Sequence, residues 1–117
     1  MTVKTTLRLD DPARPFAMRA GGVHQLATRL EIAVPSDAFA AGVDDMAKAV
    51  DYDAAFAAVA AVAAEGPFET HEFIAAQIAR RILALPIVLG VSVELRCVSW
   101  GDGRSVGVRL TVEPDVL

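Results

Sequence analysis

The period of the hydrophobic pattern changes along this chain, and that change constrains the fold more than any other feature of the sequence. Apolar and polar residues alternate over residues 3–9 and again over 26–34, which predicts two half-buried strands. Between residues 51 and 85 the apolar positions recur every three or four residues, which predicts helices. Alternation returns over residues 91–97 and 106–112. The predicted order is therefore strand, strand, helix, helix, strand, strand.

Turn-forming segments separate these elements. Asp10-Asp11-Pro12 is predicted to end the first strand, and Pro35-Ser36-Asp37 the second. Gly66-Pro67 separates the two helices, and Pro86 follows the second. Gly101-Asp102-Gly103 supplies turn residues between the last two strands, which must run antiparallel because the connection is short.

The two helices are predicted from their caps and their apolar stripes. Asp51 or Asp53 is expected to cap a helix that runs to Ala64, and Thr70 a helix that runs to about Leu85. The apolar stripes are Phe56, Val59, Val62 and Ala63 in the first helix and Phe73, Ile74, Ile78, Ile82 and Leu85 in the second.

These elements predict an α+β fold: a four-stranded antiparallel sheet with two helices on one face, as a single domain over residues 1–117. The opposite face of the sheet would carry charges of both signs: Arg29, Glu31, Glu94, Arg96, Arg109 and Glu113. A small sheet leaves two open edges, and open edges invite pairing with another chain. We therefore expect a symmetric homo-oligomer built by strand pairing.

Composition narrows the classes of function. Hydrophobic residues make up 54% of the chain, too many for a disordered protein, yet no apolar run has the ~18 residues of a membrane helix. The net charge is −4 without a basic cluster, which disfavours nucleic acid as a partner. The polar N-terminal residues 1–4 do not resemble a signal peptide. The single Cys97 cannot form an internal disulfide, which fits a cytoplasmic location.

Three segments together carry a family resemblance. They are the stretch from Asp44 to Tyr52, Gly66-Pro67-Phe68 followed after three residues by Glu72, and Ser105-Val106-Gly107-Val108. In order and spacing over roughly residues 25–112, the chain resembles the dihydroneopterin aldolase family. That resemblance implies the tunnelling fold, ring-shaped tetramers that often stack into octamers, and pterin-binding sites between subunits.

The resemblance also implies how a pterin would be held. Glu72 is expected to accept hydrogen bonds from the ring N–H and the exocyclic amino group, as a carboxylate does from an arginine fork. Ala49 and Val50 would offer main-chain partners to the ring. His71 would orient Glu72 or contact the ligand. The alternative for Glu72 and His71 is a solvated position in the first turn of a helix.

Catalysis in the family cleaves a carbon–carbon bond of the dihydropterin side chain and needs no metal or other cofactor, because the ring C=N accepts the electrons. Tyr52, the only tyrosine, corresponds to a residue that handles protons from the neighbouring subunit; the alternative is an aromatic residue packed on the core. The family lysine is replaced by Cys97, and no carboxylate lies between Asp11 and Glu31 where the family has a loop glutamate. Cys97 and His24 are therefore candidates for the missing proton-handling groups. Each has a simpler interpretation, as a small core residue and a polar loop residue respectively.

These observations lead to one predicted function and two alternatives. The first is a dihydroneopterin aldolase-like lyase of pterin or folate-type biosynthesis, with an altered acid–base set. The others are a non-catalytic pterin- or purine-binding oligomer and a purely structural assembly. The zinc-dependent enzymes of the same fold need Cys and His ligands, and Cys97 with two histidines has no ligand-like spacing, so no metal site is predicted.

Overall fold

A computed structural model describes residues 1–98 and 103–114 of the chain. The described residues form four strands, three α-helices and one 3₁₀ turn. The strands are β1 Thr5–Ala17, β2 Val23–Val34, β3 Gly90–Cys97 and β4 Val106–Val112. The helices are α1 Asp37–Ala40, α2 Tyr52–Ala63 and α3 His71–Leu83, and the 3₁₀ turn is Met46–Lys48.

The predicted fold class is confirmed. The strands form one antiparallel sheet in the order β1-β2-β3-β4, and the two long helices α2 and α3 lie between β2 and β3 in the chain. The short helix α1 and the 3₁₀ turn were not predicted, because each is too short to show a hydrophobic period. Gly101 and Asp102 of the predicted Gly101-Asp102-Gly103 turn lie outside the described residues.

The first hairpin is longer than the sequence predicts, and the prediction that Asp10-Asp11-Pro12 ends β1 is wrong. β1 continues to Ala17, and β2 begins at Val23 instead of residue 26. The pairing shifts register between Asp11 and Arg14, as at a β-bulge. A bulge on an edge strand accommodates Pro12, which has no N–H to donate to the ladder.

An ion pair within the bulge explains why the strand continues past Asp10-Asp11-Pro12 instead of ending in a turn there. The carboxylate of Asp11 is buried on the helix side of the sheet and accepts two hydrogen bonds from Arg14, from Nε at 2.8 Å and from Nη2 at 2.9 Å. The guanidinium therefore supplies a partner that solvent would supply in a turn. The hydrogen bonds to Asp11 also raise the pKa of Arg14.

The core lies between one face of the sheet and the two long helices. α3 packs on β3 and β4, and α2 packs on β1 and on α3. Asp51 caps α2 through a hydrogen bond from the Ala54 N–H, and Thr70 caps α3 through one from the Phe73 N–H, both at 3.1 Å. The largest fully buried side chains are Phe16, Leu26, Leu30, Ile32, Ile74, Ile78, Ile82, Leu95, Val59, Val62 and Val93, with Cys97 among them.

The opposite face of the sheet carries an alternating row of charges. Asp10, Arg29, Glu94 and Arg109 lie opposite one another across β1 to β4. Arg29 donates to Asp10 at 2.9 Å, and Arg109 donates to Glu94 at 2.6 Å. These hydrogen bonds lower the pKa of Asp10 and of Glu94. The mixed-charge face predicted from the sequence is therefore present, with Asp10 paired to Arg29 and Glu94 paired to Arg109 across strands.

Candidate functional site

The site is built around the first turn of α3. Thr70 caps the helix with its side-chain oxygen, so the chain turns into the helix immediately before His71 and Glu72. Glu72 is exposed in the first turn, where the unpaired N–H groups and the helix dipole favour a negative charge. The carboxylate is thus presented to solvent at the start of the helix.

The segment before α3 is fixed to the tip of the first hairpin. The Phe68 N–H donates to the Ala17 carbonyl at 2.9 Å, and the Arg19 N–H donates to the Phe68 carbonyl at 2.7 Å. Met18 and Phe68 form an isolated parallel bridge. Gly66 allows this approach, since a Cβ there would lie 3.0 Å from the Ala17 oxygen. The hairpin therefore holds the start of α3 in place.

A shallow cleft of about 380 Å³ opens beside this junction. Its lining residues are Arg19, Pro67, Phe68, Glu69, Thr70 and Phe73. The Phe73 ring is half exposed and contacts Phe68 with 6.2 Å between ring centroids. Phe73 was predicted on the apolar stripe of the helix, but its exposed ring offers a flat surface of the kind on which a heterocycle stacks.

The structure brings together two of the candidate residues. Nδ1 of His24, on β2, lies 2.8 Å from Nε2 of His71, on α3, and the rings meet edge to face with their centroids 5.1 Å apart. No local pattern in the sequence predicts this contact, because the two residues are 47 positions apart. Only the extra length of the hairpin, which brings residue 24 into β2, makes the contact possible.

The pKa of His71 is lowered from its ordinary value. Burial is the largest cause, because it disfavours the charged imidazolium, and a positive charge on His24 would lower the pKa further. The carboxylate of Glu72 acts in the opposite direction. His71 is therefore held in its neutral form over a wider pH range than a solvated histidine.

Cys97 lies in the core and is 1% exposed. It is paired with Leu26 on β2. His24 lies two residues before Leu26 on that strand and therefore on the same face of the sheet as Cys97. The observed burial matches the simpler interpretation, a small core residue. A thiol without accessible surface is poorly placed to meet a substrate, which disfavours the catalytic role considered for it.

The remaining candidates lie at the start of α2. Tyr52 is the first residue of that helix, and its side chain is 52% exposed. It does not pack into the core of its own subunit, contrary to the alternative considered above. Ala49 is exposed and Val50 is buried, in the extended segment between the 3₁₀ turn and α2. Their roles toward a ligand stay predictions.

The described residues also bear on a metal site and on a membrane-spanning helix. Across residues 1–98 and 103–114, no three or more His, Cys, Asp or Glu side chains converge as ligands of a metal ion. In the same described part of the chain, none of the helices combines the length and the apolar character that crossing a membrane requires.

Comparison with solved structures supports the class of the fold. A dihydroneopterin aldolase from Burkholderia thailendensis, in a crystal structure bound to guanine, superimposes with a TM-score of 0.72 and 26% identity over 94% of this chain and 93% of its own. A putative dihydroneopterin aldolase from Vibrio cholerae gives a TM-score of 0.70 and 20% identity over 93% of this chain and 98% of its own. No protein-family model and no curated protein matches the chain.

The architecture is thus that of the tunnelling fold, and Glu72 lies at the start of α3. The chain resembles dihydroneopterin aldolases in fold over nearly its whole length, and the low sequence identity is that of a divergent relative.

Proposed function

We propose that this protein is a dihydroneopterin aldolase-like enzyme that cleaves the side chain of a dihydropterin and uses an altered acid–base set. The observation that carries the proposal is the position of Glu72, exposed in the first turn of a capped helix, in a fold shared over nearly the whole chain with dihydroneopterin aldolases. A carboxylate there accepts the paired N–H groups at the edge of a pterin. The half-exposed Phe73 ring and the cleft beside it support the same ligand class.

Guanine presents the same paired N–H edge as a pterin, and the Burkholderia aldolase was crystallised with guanine. This observation favours a second candidate function, a pterin- or purine-binding oligomer without catalysis. The two candidates share Glu72 as the anchor and differ only in turnover. A binding measurement and an activity measurement on the same protein therefore separate them.

The proposed active form is a homo-oligomer, a tetramer or octamer, with the site completed by the neighbouring subunit. Tyr52 supports this arrangement, because it is the first residue of α2 and its side chain is half exposed. The side chain can therefore contact a neighbouring subunit. In this proposal Tyr52 reaches the ligand of the adjacent subunit, and the backbone at Ala49 and Val50 borders the ring.

Incubation of the purified protein with 7,8-dihydroneopterin tests the enzyme proposal through release of glycolaldehyde. Calorimetry with guanine and with a pterin tests binding. Replacing Glu72 with Gln removes the charge that two hydrogen bonds need, and we expect affinity to fall about 100-fold, equivalent to about 3 kcal/mol.

The matched control for this experiment is Glu65→Gln, because Glu65 is an exposed carboxylate whose ion pair is with Arg81 instead of a ligand. We expect its affinity to stay within about twofold of the wild type. Binding that is unaffected by Glu72→Gln would contradict the role of Glu72. Tight binding without glycolaldehyde release would contradict the enzyme proposal and leave the second candidate.

A further inference from the structure

His24 and His71 are the two histidines of the chain, and the fold joins them into one unit. The 2.8 Å separation between Nδ1 of His24 and Nε2 of His71 is a hydrogen bond in which one ring donates and the other accepts. Each ring has one further nitrogen, on the side away from this bond. A proton taken up by one ring can therefore be shared with the other along this bond.

The pair lies beside the groups that define the site. His71 precedes Glu72 in the first turn of α3, and the Glu72 carboxylate acts electrostatically on His71. On the sheet, His24 and Cys97 are diagonal neighbours on one face, so the pair lies next to the position that the family resemblance assigns to the missing lysine.

The surroundings of the pair affect the protonation of His71. His71 is partly buried, and burial together with His24 lowers its pKa. Charged or titratable groups on the adjoining elements include Glu72 on α3, Cys97 on β3, and Arg19 and Glu69, which form a 3.9 Å ion pair beside the cleft. Among them Glu72 acts against the lowered pKa, yet the net shift of His71 is downward. The lowered pKa of His71 favours its neutral form, which can accept a proton.

We propose that His24 and His71 act as a single acid–base unit in the reaction, replacing the family lysine and loop glutamate; this inference rests on the aldolase-like function proposed above. The neutral pair takes the proton of the side-chain hydroxyl. The carbon–carbon bond breaks, its electrons pass into the ring C=N, and glycolaldehyde leaves. The cationic pair then returns the same proton to the enamine carbon, which restores the C=N and the neutral pair. No oxidant, reductant or further co-reactant enters this balance.

Two substitutions test the unit while retaining its hydrogen bond. In His71→Gln the side-chain amide occupies the place of Nε2, and in His24→Asn it occupies the place of Nδ1, but neither amide accepts a proton in this pH range. We expect kcat for 7,8-dihydroneopterin to fall at least about 100-fold in each variant, with KM within about threefold. The acid limb of the wild-type pH profile, where the pair becomes protonated, should disappear in both variants.

A structural role predicts a different result, because either amide would then preserve the contact and kcat. Wild-type turnover that is abolished by Glu72→Gln but retained within about threefold in both histidine variants would overturn the relay and leave the aldolase function standing. A wild-type protein without turnover would overturn both. Selective loss of kcat in both variants, with guanine affinity unchanged, would support the relay.

Discussion

Asp11 and Arg14 form a two-bond ion pair whose partners are buried to different degrees. The Asp11 side chain is 4% exposed, whereas that of Arg14 is 31% exposed. Loss of one partner leaves the other as an unpaired charge, and the cost depends on how well water can reach that charge. The two single substitutions should therefore differ in their effect on stability, although they remove the same pair.

We predict that Arg14→Ala destabilises the fold by about 3–5 kcal/mol, since it leaves a buried carboxylate without a partner. Asp11→Ala should cost only about 1–2 kcal/mol, because the remaining guanidinium can be hydrated. Urea unfolding of both variants and of the double variant measures the difference. The double variant should be more stable than Arg14→Ala alone. Equal costs for the two single variants would contradict this account.

The lowered pKa of His71 predicts how stability changes with pH. In the unfolded chain the histidine titrates near its ordinary value of 6.5, whereas in the folded protein it takes up a proton only at lower pH. Between these two pKa values the unfolded state binds more protons, so the free energy of unfolding decreases as the pH falls through this window. Above pH 6.5 both states are neutral, and the contribution of His71 to stability is fully present.

We expect urea unfolding at several pH values between about 7.5 and 5.5 to show this decrease in the wild type, and a smaller decrease in His71→Gln. His24→Asn should also reduce the dependence, because it removes the second cause of the lowered pKa. The lowered carboxylate pKa values of Asp10 and Glu94 affect stability in a more acidic range, outside the window assigned to His71. An identical pH dependence in His71→Gln and the wild type would contradict the assignment.

At the scale of elements, the sequence predicts those boundaries of helices and strands that are set by neighbouring residues. The start of α2 at Tyr52 and of α3 at His71 follow from the caps Asp51 and Thr70, and both caps make the expected backbone hydrogen bonds. The choice between Asp51 and Asp53 stayed open, because either can cap a helix in that sequence. The end of β2 was also predictable, since Pro35 follows it directly.

What could not be predicted depends on partners distant in the chain. An acidic pair followed by Pro12 is typical of a turn, and only the guanidinium of Arg14 together with a register shift keeps it within β1. The candidate site shows the same division. Glu72 could be chosen as a candidate from its spacing within the family motif. The contact of His24 with His71 could not, because it depends on the extended hairpin.

The cap of α3 yields a prediction at this scale. Thr70 accepts a hydrogen bond from the Phe73 N–H and sets the direction in which the first turn presents Glu72. We expect Thr70→Ala to lower the free energy of unfolding by about 1 kcal/mol, and Thr70→Ser to leave it nearly unchanged. Thermal or urea unfolding measures this effect.

The same substitutions separate stability from binding. If the cap fixes the first turn, guanine affinity should fall in Thr70→Ala and be retained in Thr70→Ser, at protein concentrations where both are folded. Full affinity in Thr70→Ala would show that Glu72 is positioned without the cap.

On the scale of the whole molecule, the single subunit is more extended than a compact domain of its length. Its radius of gyration is 15.7 Å, compared with about 13 Å for a compact chain of this size. Its accessible surface is 7393 Å², compared with about 6,100 Å² for a monomer of this mass. Both differences are in the direction expected of a chain that would bury further surface by association.

The outer strands show where that association would occur. β1 and β4 are the two edges of the sheet, and each has one side without a paired strand among the described residues. On β4, Val106 and Val112 are 40% and 37% exposed, so the helices cover its apolar face only in part. Pairing of the β4 edge with β1 of a second copy would bury these side chains and satisfy the open backbone groups.

We therefore predict that the purified chain is a homo-oligomer, a tetramer or octamer, and that Val106→Lys combined with Val112→Lys shifts it toward smaller species. A lysine buried at a subunit contact costs at least about 2 kcal/mol per interface, and a ring multiplies that cost by the number of its interfaces.

Size-exclusion chromatography with light scattering measures the mass. Ala57→Lys, at an exposed position of α2, is the matched control and should leave the mass unchanged. A monomeric wild type, or an unchanged mass in the β4 variant, would contradict assembly through this edge; loss of guanine binding together with loss of mass would show that the site needs the neighbouring subunit.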